Sequence, residues 1–357
     1  MRLGYVTRVV DEDSKVLATQ VRWIRSLASK ERVESLIVLA GRVGRATLPG
    51  NVEIREFGAD RWRLLRFMLE ATRARASVDA FFIAQGGPFP ALLLPLKLGN
   101  GPRVYQWKAH AVVSSRMEFY ARHCDDLVFT SAPSSFPLEI PGRRVVGQGI
   151  DCDLFQPPTE RAPDRDLLCF GRMSPIKGVE SAISLVASIR DQLGTTRHLD
   201  IVGPGKNDYL ASLRALADRL GVTDQVHFAG AVPHYELPAL LPRYRASLNF
   251  SKGALDKTIL ESMAVGVPVL TSNEAALESM SGTLARELAV DPTSPEDLVD
   301  KVEGILRLNE VQRGELAARL RRMVVEDHSL ERLFDKILDE IEGFEGKGAA
   351  SANPAPG

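Results

Sequence analysis

Residues 251–269 have the sequence SKGALDKTILESMAVGVPV, and this stretch sets the fold prediction. An apolar run before it, Ala246–Phe250, predicts a strand, Lys257–Val265 predicts a helix, and Pro268–Thr271 predicts the next strand. Strand, loop, helix and strand in this order indicate a βαβ unit of a parallel sheet. Asp256 either caps the helix or faces a ligand. Glu261, one turn into the helix, either interacts favourably with the helix dipole or faces a ligand.

The same alternation extends from this stretch in both directions. One series begins with the strand Leu3–Val10 and ends with Val145–Ile150, and a second begins with Leu167–Gly171. A chain of 357 residues has room for two domains at about 150 residues each. We predict an N-terminal domain over 1–155, a second over 156–325, a helix over 326–345 and a disordered, Pro/Ala/Gly-rich tail over 346–357.

Two further loops follow predicted strands of the second series. Between Gly171 and Gly178, Arg172 and Lys177 precede a predicted helix, which is typical of an anion site and also of a solvated basic loop. Gly203 and Gly205 close the strand Leu199–Val202, either to let a ligand approach the backbone or only to turn the chain.

Together, these loops resemble the donor domain of retaining GT-B enzymes, especially glycosyltransferase family 4. The matching motifs are the GR…KG turn at Gly171, Arg172, Lys177 and Gly178, the IVG.G strand end at Ile201–Gly205, and LE.MA.G.PV at Leu260–Val269. Gly147–Asp151 with Phe155 resembles the interdomain NG.D…F segment of that family. The resemblance covers about residues 143–300.

The resemblance implies the GT-B fold: two Rossmann-like, doubly wound α/β domains facing across a cleft, with the C-terminal helix crossing back to the first domain. It also implies transfer of a sugar with retention from a UDP- or GDP-linked donor. The acceptor is a glycan, a lipid-linked molecule or a small molecule, and polysaccharide or glycolipid biosynthesis is the usual setting of such enzymes.

The resemblance also assigns roles. Arg172 and Lys177 hold the donor's diphosphate, Glu261 accepts hydrogen bonds from the ribose, and amides near Lys257 and Thr258 face the phosphate or the sugar. The implied catalytic set is Arg172, Lys177 and His110, and the implied donor-binding set is Gly171, Gly203, Gly205, Gly253, Asp256, Lys257, Thr258, Ile259 and Glu261. Two cations and a helix N-terminus stabilise a diphosphate leaving group, so no metal ion and no cofactor are expected.

Gly253 departs from the family pattern. Many relatives have a glutamate eight positions before the one matched by Glu261, and that position is Gly253 here. Either Asp256 or Lys257 replaces this carboxylate, or backbone amides hold the sugar. The alternative is a degenerate GT-B protein that binds a nucleotide sugar or serves as a non-catalytic partner subunit. A sugar-nucleotide epimerase would need its own acid/base carboxylates, and the sequence offers no convincing set.

His110 follows the predicted strand Arg103–Trp107. Relatives often have a histidine there, near the donor sugar, although a single histidine is also a common structural hydrogen-bonding residue. The loop Val10–Lys15 lacks the paired glycines common in relatives, so acceptor binding there is expected to differ.

The net charge of −1 conceals an asymmetry, because residues 1–155 carry six more basic than acidic side chains. Arg61–Met68 is both cationic and apolar, as in a membrane-surface helix; an ordinary packed helix, with arginines lying over its core, is the preferred interpretation. Because of this excess of basic residues, peripheral contact between the first domain and an anionic membrane remains one predicted option. The acidic second half and the 6% aromatic content argue against nucleic-acid binding.

The sequence contains no apolar run near the roughly 20 residues that span a bilayer. Its first residues lack the pattern of a signal peptide. Cys124, Cys152 and Cys169 form no CxxC pair, which favours reduced thiols. The expected location is the cytoplasm, with peripheral association at the inner face of the membrane as an option.

Overall fold

The computed structural model describes residues 1–14, 19–159 and 163–352. The chain divides into two compact units. The first contains residues 1–147 and the chain from Leu330 onward, and the second contains residues 148–329. The chain passes from the first unit to the second after Gly147 and returns to the first unit at Leu330. Both boundaries differ from the predicted ones, at residues 155 and 325.

Within the described residues, the strands are β1 (Arg2–Val10), β2 (Ser35–Val43), β3 (Val52–Glu56), β4 (Ala80–Ile83), β5 (Arg103–Trp107), β6 (Leu127–Thr130), β7 (Arg143–Val145), β8 (Arg165–Phe170), β9 (Leu199–Val202), β10 (Val226–Gly230), β11 (Tyr244–Asn249) and β12 (Val269–Thr271). The helices are α1 (Thr19–Ala28), α2 (Arg63–Ala74), α3 (Phe89–Leu93), α4 (Ser115–His123), α5 (Val179–Leu193), α6 (Asn207–Arg219), α7 (Leu237–Leu240), α8 (Lys257–Ala264), α9 (Glu274–Glu278), α10 (Gly282–Leu288), α11 (Pro295–Leu306), α12 (Glu310–His328) and α13 (Leu330–Ala352).

The first unit is built on a parallel sheet of seven strands in the order β3-β2-β1-β4-β5-β6-β7. Helices α1 and α13 cover one face, where Trp23 packs edge-on against Phe334 with ring centroids 5.5 Å apart. Helices α2 and α3 cover the other face through Phe67 and Phe89. Such double covering is expected because a parallel sheet buries both faces.

Helix α13 completes the core of the first unit. Its fully buried side chains are Leu333, Phe334, Ile337, Leu338 and Ile341. Arg32 of the same unit donates to Asp339 at 2.6 Å, and Lys30 pairs with Glu331 and Asp335. The predicted return of the C-terminal helix to the first domain is confirmed.

Two local predictions need correction. Helix α13 continues to Ala352, although a disordered tail was predicted from residue 346. The alanines at 349, 350 and 352 have the highest helix propensity of any residue, which offsets the nearby glycines. Residues 353–357 lie outside the described residues, as do residues 15–18 of the predicted first helix. The last strand of the first unit is Arg143–Val145 rather than Val145–Ile150, because Gly147 (φ +86°) turns the chain out of the sheet.

The second unit is built on a parallel sheet of five strands in the order β10-β9-β8-β11-β12. The strand order reverses between β8 and β11, so this pair forms the topological switch point. Doubly wound sheets bind ligands beyond the carboxyl ends of the strands at this point. The loops that follow β8 and β11 are those that the sequence analysis singled out.

Candidate active site

The loops after β8 and β9 approach each other through two glycines. The Gly171 amide donates to the carbonyl of Val202 at 2.9 Å. A Cβ atom added to Gly203, whose φ is +145°, would lie 1.8 Å from the carbonyl oxygen of Gly171. A Cβ on Gly205 would lie 2.9 Å from Cβ of Met173. Glycine is therefore required at 203 by the close packing of the two loops, whether or not a ligand is bound.

Arg172 is exposed and lies on a pocket of about 490 Å³ between these loops. Among the described residues it makes no ion pair or hydrogen bond, so its guanidinium is available to an anion. Lys206 adds a second cation to the same pocket. The lining residues are Arg172, Met173, Ser174, Pro175, Pro204, Gly205, Lys206 and Tyr209.

Lys177 has a partner in the protein itself. Its Nζ forms an ion pair with Oδ2 of Asp256, and both side chains are mostly buried. Asn249 Nδ2 also donates to this carboxylate, at 3.1 Å. Burial raises the pKa of Asp256, but the charge of Lys177 and the hydrogen bonds outweigh burial and lower the pKa overall. The pair brings the β8 and β11 loops together and neutralises the Lys177 charge within the protein.

Asp256 also caps α8. Its Oδ1 accepts from the Thr258 amide at 3.3 Å, and its carbonyl oxygen accepts from the Ile259 amide at 3.2 Å. The Ile259 side chain is fully buried in the core. The Thr258 and Ile259 amides therefore each have an acceptor in Asp256. The predicted role of amides near Lys257 and Thr258, to face the phosphate or the sugar, stays a prediction. Thr258 still lies at the site, because a Cβ on Gly171 would be 3.0 Å from its methyl group.

A buried polar network holds the loop after β11. The side-chain oxygen of Asn249 accepts from the amide of Ser251 at 3.0 Å. Nδ2 of Asn273 donates to the carbonyls of Ser251 and Ala254 at 3.1 and 3.3 Å. The sequence analysis missed both asparagines, although each stands at or just after the end of a strand.

Glu261 is 6% exposed and lies on α8 beneath this loop. His234 Nε2 donates to its Oε1 at 2.9 Å, and the His234 ring packs edge-on against Phe155 with centroids 5.2 Å apart. Burial lowers the pKa of Lys257, while the charge of Glu261 opposes that shift. The structure thus adds His234 to the site. The only sequence signal was a histidine in the loop after β10.

Gly253 has φ +115°, a backbone conformation that residues with a side chain rarely adopt. A residue with a side chain would therefore be strained at this position. A glutamate there would have to change the course of the loop between Ser251 and Asp256.

His110 belongs to the first unit. Burial lowers the pKa of its imidazole, and the charge of Lys108 adds to that shift. In the described part of the chain it has no partner that identifies a function, so its catalytic role stays a prediction.

Lys108 is buried next to a carboxyl group. Burial also lowers the pKa of this lysine, and Asp125 opposes the shift. In the amide orientation that suits both neighbours, Gln106 donates to Asp125 at 2.9 Å and accepts from Lys108 at 3.2 Å. Burial raises the pKa of Asp125 to about 8.

Within the described residues, no group of three or more His, Cys, Asp or Glu side chains is arranged to hold a metal ion. No helix in that part of the chain has both the length and the apolar content required to span a membrane. Cys124, Cys152 and Cys169 are free thiols.

A family model described as "Glycosyl transferases group 1" matches residues 153–323. This part of the chain therefore resembles the group 1 glycosyl transferases. This match extends over the second unit, which contains the loops after β8, β9 and β11 together with the Lys177–Asp256 pair.

Curated relatives agree with this family. The chain is 30% identical over 213 residues to the GDP-mannose-dependent alpha-(1-6)-phosphatidylinositol monomannoside mannosyltransferase of Mycobacterium tuberculosis, which covers 55% of this chain and 54% of the relative. It is 29% identical over 181 residues to the D-inositol 3-phosphate glycosyltransferase of Corynebacterium jeikeium, covering 44% and 42%. The chain thus spans about half the length of the curated relatives it matches.

Solved structures resemble the whole chain. Anabaena Alr3699/HepE, in complex with UDP and glucose, has a TM-score of 0.71 at 14% identity, covering 96% of this chain and 99% of that one. Sucrose-phosphate synthase from Thermosynechococcus elongatus has a TM-score of 0.75 at 16% identity, covering 98% and 99%. At these identities the likeness shows the fold alone, and it confirms the predicted GT-B fold.

Proposed function

We propose that this protein is a glycosyltransferase that transfers a hexosyl group, with retention, from a nucleotide-diphosphate sugar to a lipid-linked or glycan acceptor. A GDP-linked donor, and mannose as its sugar, are favoured by the printed name of the mycobacterial relative. A UDP-linked donor is the other candidate, since the Anabaena protein was solved with UDP.

One observation carries the proposal: cations and a buried carboxylate meet beyond the carboxyl ends of β8 and β11, at the switch point of the second unit. Arg172 has no partner there among the residues that the structure describes, while Asp256 orients Lys177. A diphosphate carries negative charge that such groups stabilise, and Glu261 offers carboxylate oxygens to the two ribose hydroxyls.

In the proposed reaction, the bond between the anomeric carbon and the β-phosphate oxygen breaks. The acceptor oxygen then bonds to that carbon on the same face, and its proton passes to the departing phosphate oxygen. Charge therefore accumulates on the diphosphate in the transition state. Arg172 stabilises this charge more strongly in the transition state than in the bound donor. The proposed reaction needs neither a protein nucleophile nor a metal ion.

Peripheral contact between the first unit and an anionic membrane is part of the proposal. A lipid-linked acceptor is presented at a membrane surface, and the name of the mycobacterial relative contains phosphatidylinositol monomannoside. The histidine at 110 is proposed to act on the sugar or the acceptor from the first unit.

Gly253 favours a second candidate, a nucleotide-sugar-binding protein without transferase activity. The loop lacks the glutamate of many relatives and has a glycine-type backbone there. Such a protein would keep the donor site, so nucleotide binding alone does not distinguish it from the enzyme.

The experiment is thermal unfolding with GDP, UDP and their sugars, followed by turnover with the nucleotide that binds. A ligand at 100 times its Kd stabilises the folded state by about 2.7 kcal/mol. For a unit of this size, that corresponds to a rise in Tm of roughly 5–10 °C. Arg172→Ala should lose most of this shift, whereas Arg219→Ala, an exposed arginine of α6, should retain it.

Turnover separates the two candidates. Release of nucleotide that depends on an added acceptor, reduced about 10²–10³-fold in Arg172→Ala, supports the enzyme. Binding without turnover on any lipid-linked or glycan acceptor supports the non-catalytic protein. An equal shift in wild type and Arg172→Ala would contradict the proposed diphosphate site.

A further inference from the structure

Helix α2 carries an apolar stripe on the side that faces away from the core of the first unit. Its buried residues are Phe67, Ala71 and Ala74. Trp62, directly before the helix, Leu65 and Leu69 are 54%, 66% and 49% exposed. At 3.6 residues per turn, these three side chains lie within roughly 60° of the helix circumference. We call them the α2 stripe.

Cations flank the α2 stripe. The guanidinium of Arg61 lies 5.2 Å from the centroid of the Trp62 ring. Arg61 and Arg63 are exposed, and within the described part of the chain neither forms an ion pair. Arg66 and Arg73 also lie on this side of the helix, but each has an acidic partner nearby. Residues 60–76 contain five arginines and two acidic side chains, so the segment is cationic overall.

The preferred interpretation of the segment, an ordinary packed helix, agrees with the structure in part, because α2 packs in the core through Phe67, Ala71 and Ala74. The arginines were expected to lie over apolar side chains that pack in the core. Instead, Phe67 alone among the large apolar side chains of 61–68 is fully buried, while Trp62 and Leu65 face solvent. A tryptophan and two leucines on one exposed stripe, with arginines beside it, are typical of helices that lie in a membrane interface.

We propose that the α2 stripe docks on an anionic membrane surface, with Trp62, Leu65 and Leu69 inserted at the level of the headgroups. Arg61 and Arg63 then pair with lipid phosphates. The purpose of this docking, access to a lipid-linked acceptor, rests on the proposed function. Vesicle binding is measured without turnover, however, so a failure to bind vesicles and a failure to transfer sugar are distinguishable.

The test is flotation of the full chain with vesicles of phosphatidylcholine, alone or mixed with phosphatidylglycerol. Wild type should float with the mixed vesicles only, and added salt should weaken the binding. Arg61→Gln with Arg63→Gln should lower partitioning about 25-fold, since each arginine near the surface contributes about fivefold. Trp62→Gln, Leu65→Gln and Leu69→Gln together should lower it at least about tenfold.

Matched controls come from exposed residues of the second unit. Leu193→Gln with Val311→Gln removes exposed apolar side chains, and Arg219→Gln with Arg322→Gln removes exposed arginines. Both controls should float as wild type does. The emission of Trp62 should shift to shorter wavelength on vesicle binding. Trp62→Phe should abolish that shift while still floating, because the other two tryptophans belong to the core: Trp23 is buried and the partly buried Trp107 packs against it.

Three results would overturn the proposal. Wild type could fail to float with either vesicle, or the stripe variants could float as well as the controls. Alternatively, wild type could be a dimer that the stripe variants convert to a monomer, without binding vesicles; the α2 stripe would then be an interface between two copies of the chain.

Discussion

Replacing Gly203 with alanine tests the loop packing that positions Arg172. The added Cβ would lie 1.8 Å from the Gly171 carbonyl oxygen, where van der Waals contact needs more than about 3 Å. One loop must therefore move by about 1 Å, and such overpacking costs about 1–3 kcal/mol. A φ of +145° adds strain of about 1–3 kcal/mol for any residue with a side chain. The expected loss is about 4 kcal/mol.

Thermal unfolding followed by circular dichroism measures this loss. For a unit of this size, about 4 kcal/mol lowers Tm by roughly 8–16 °C. Two glycines of the same unit serve as controls. Gly194 has φ +62° with open space around it, so Gly194→Ala should cost only about 1–2 kcal/mol. Gly304, inside α11 with open space, should gain about 0.5–1 kcal/mol as alanine.

The comparison of the first two variants decides the outcome. If Gly203→Ala unfolds within a few degrees of Gly194→Ala, the loops after β8 and β9 are not in contact as described. The Gly203 variant should also lose the stabilisation by nucleotide, because the displaced loop carries Arg172. Normal nucleotide stabilisation in a variant with a strongly lowered Tm would refute the link between this packing and the donor site.

Three further outcomes are expected. Asp256→Asn should lower the free energy of unfolding in urea by about 3 kcal/mol, because it leaves Lys177 buried without a counter-charge. Adding Lys177→Met should recover part of this loss. If the effects of the two substitutions simply add, the pairing is contradicted. His234→Ala should cost about 1–3 kcal/mol because the buried Glu261 carboxylate loses a donor, and nucleotide should raise the Tm of this variant more than that of wild type. The pKa of Asp125 is raised to about 8, so the folded state retains a proton that the unfolded state releases near pH 4. Stability of wild type should therefore fall between pH 5 and 8, and Asp125→Asn should reduce that dependence; equal pH profiles would exclude the buried carboxyl as its source.

Much of the fold could be predicted because the local pattern and the tertiary structure agree. Strands β5 and β9 have the predicted bounds, since each is a short, mostly apolar stretch between turns. The prediction failed where one residue changes the chain direction, as at Gly147 after β7. It also failed in α13, where alanines continue a helix into a segment whose composition suggested disorder.

The site was predicted as a set of loops, but its contacts were not. Lys177 and Asp256 are 79 positions apart, and no spacing rule pairs them. The His234–Glu261 contact joins the loop after β10 to helix α8, and a single histidine gave no reason to expect it. The outward direction of Leu65 and Leu69 depends on which side of α2 meets the sheet, and local sequence leaves that choice open.

The return of α13 to the first unit has a consequence for how the protein is made. A ribosome releases the second unit's sequence in one continuous piece, whereas the first unit lacks Leu333, Phe334 and Ile337 until α13 has been synthesised. The nascent first unit must therefore wait with an uncovered apolar face while the second unit folds. A truncated protein that ends before Leu330 would keep the second unit complete. It would still aggregate, because its first unit would expose the apolar face that α13 covers.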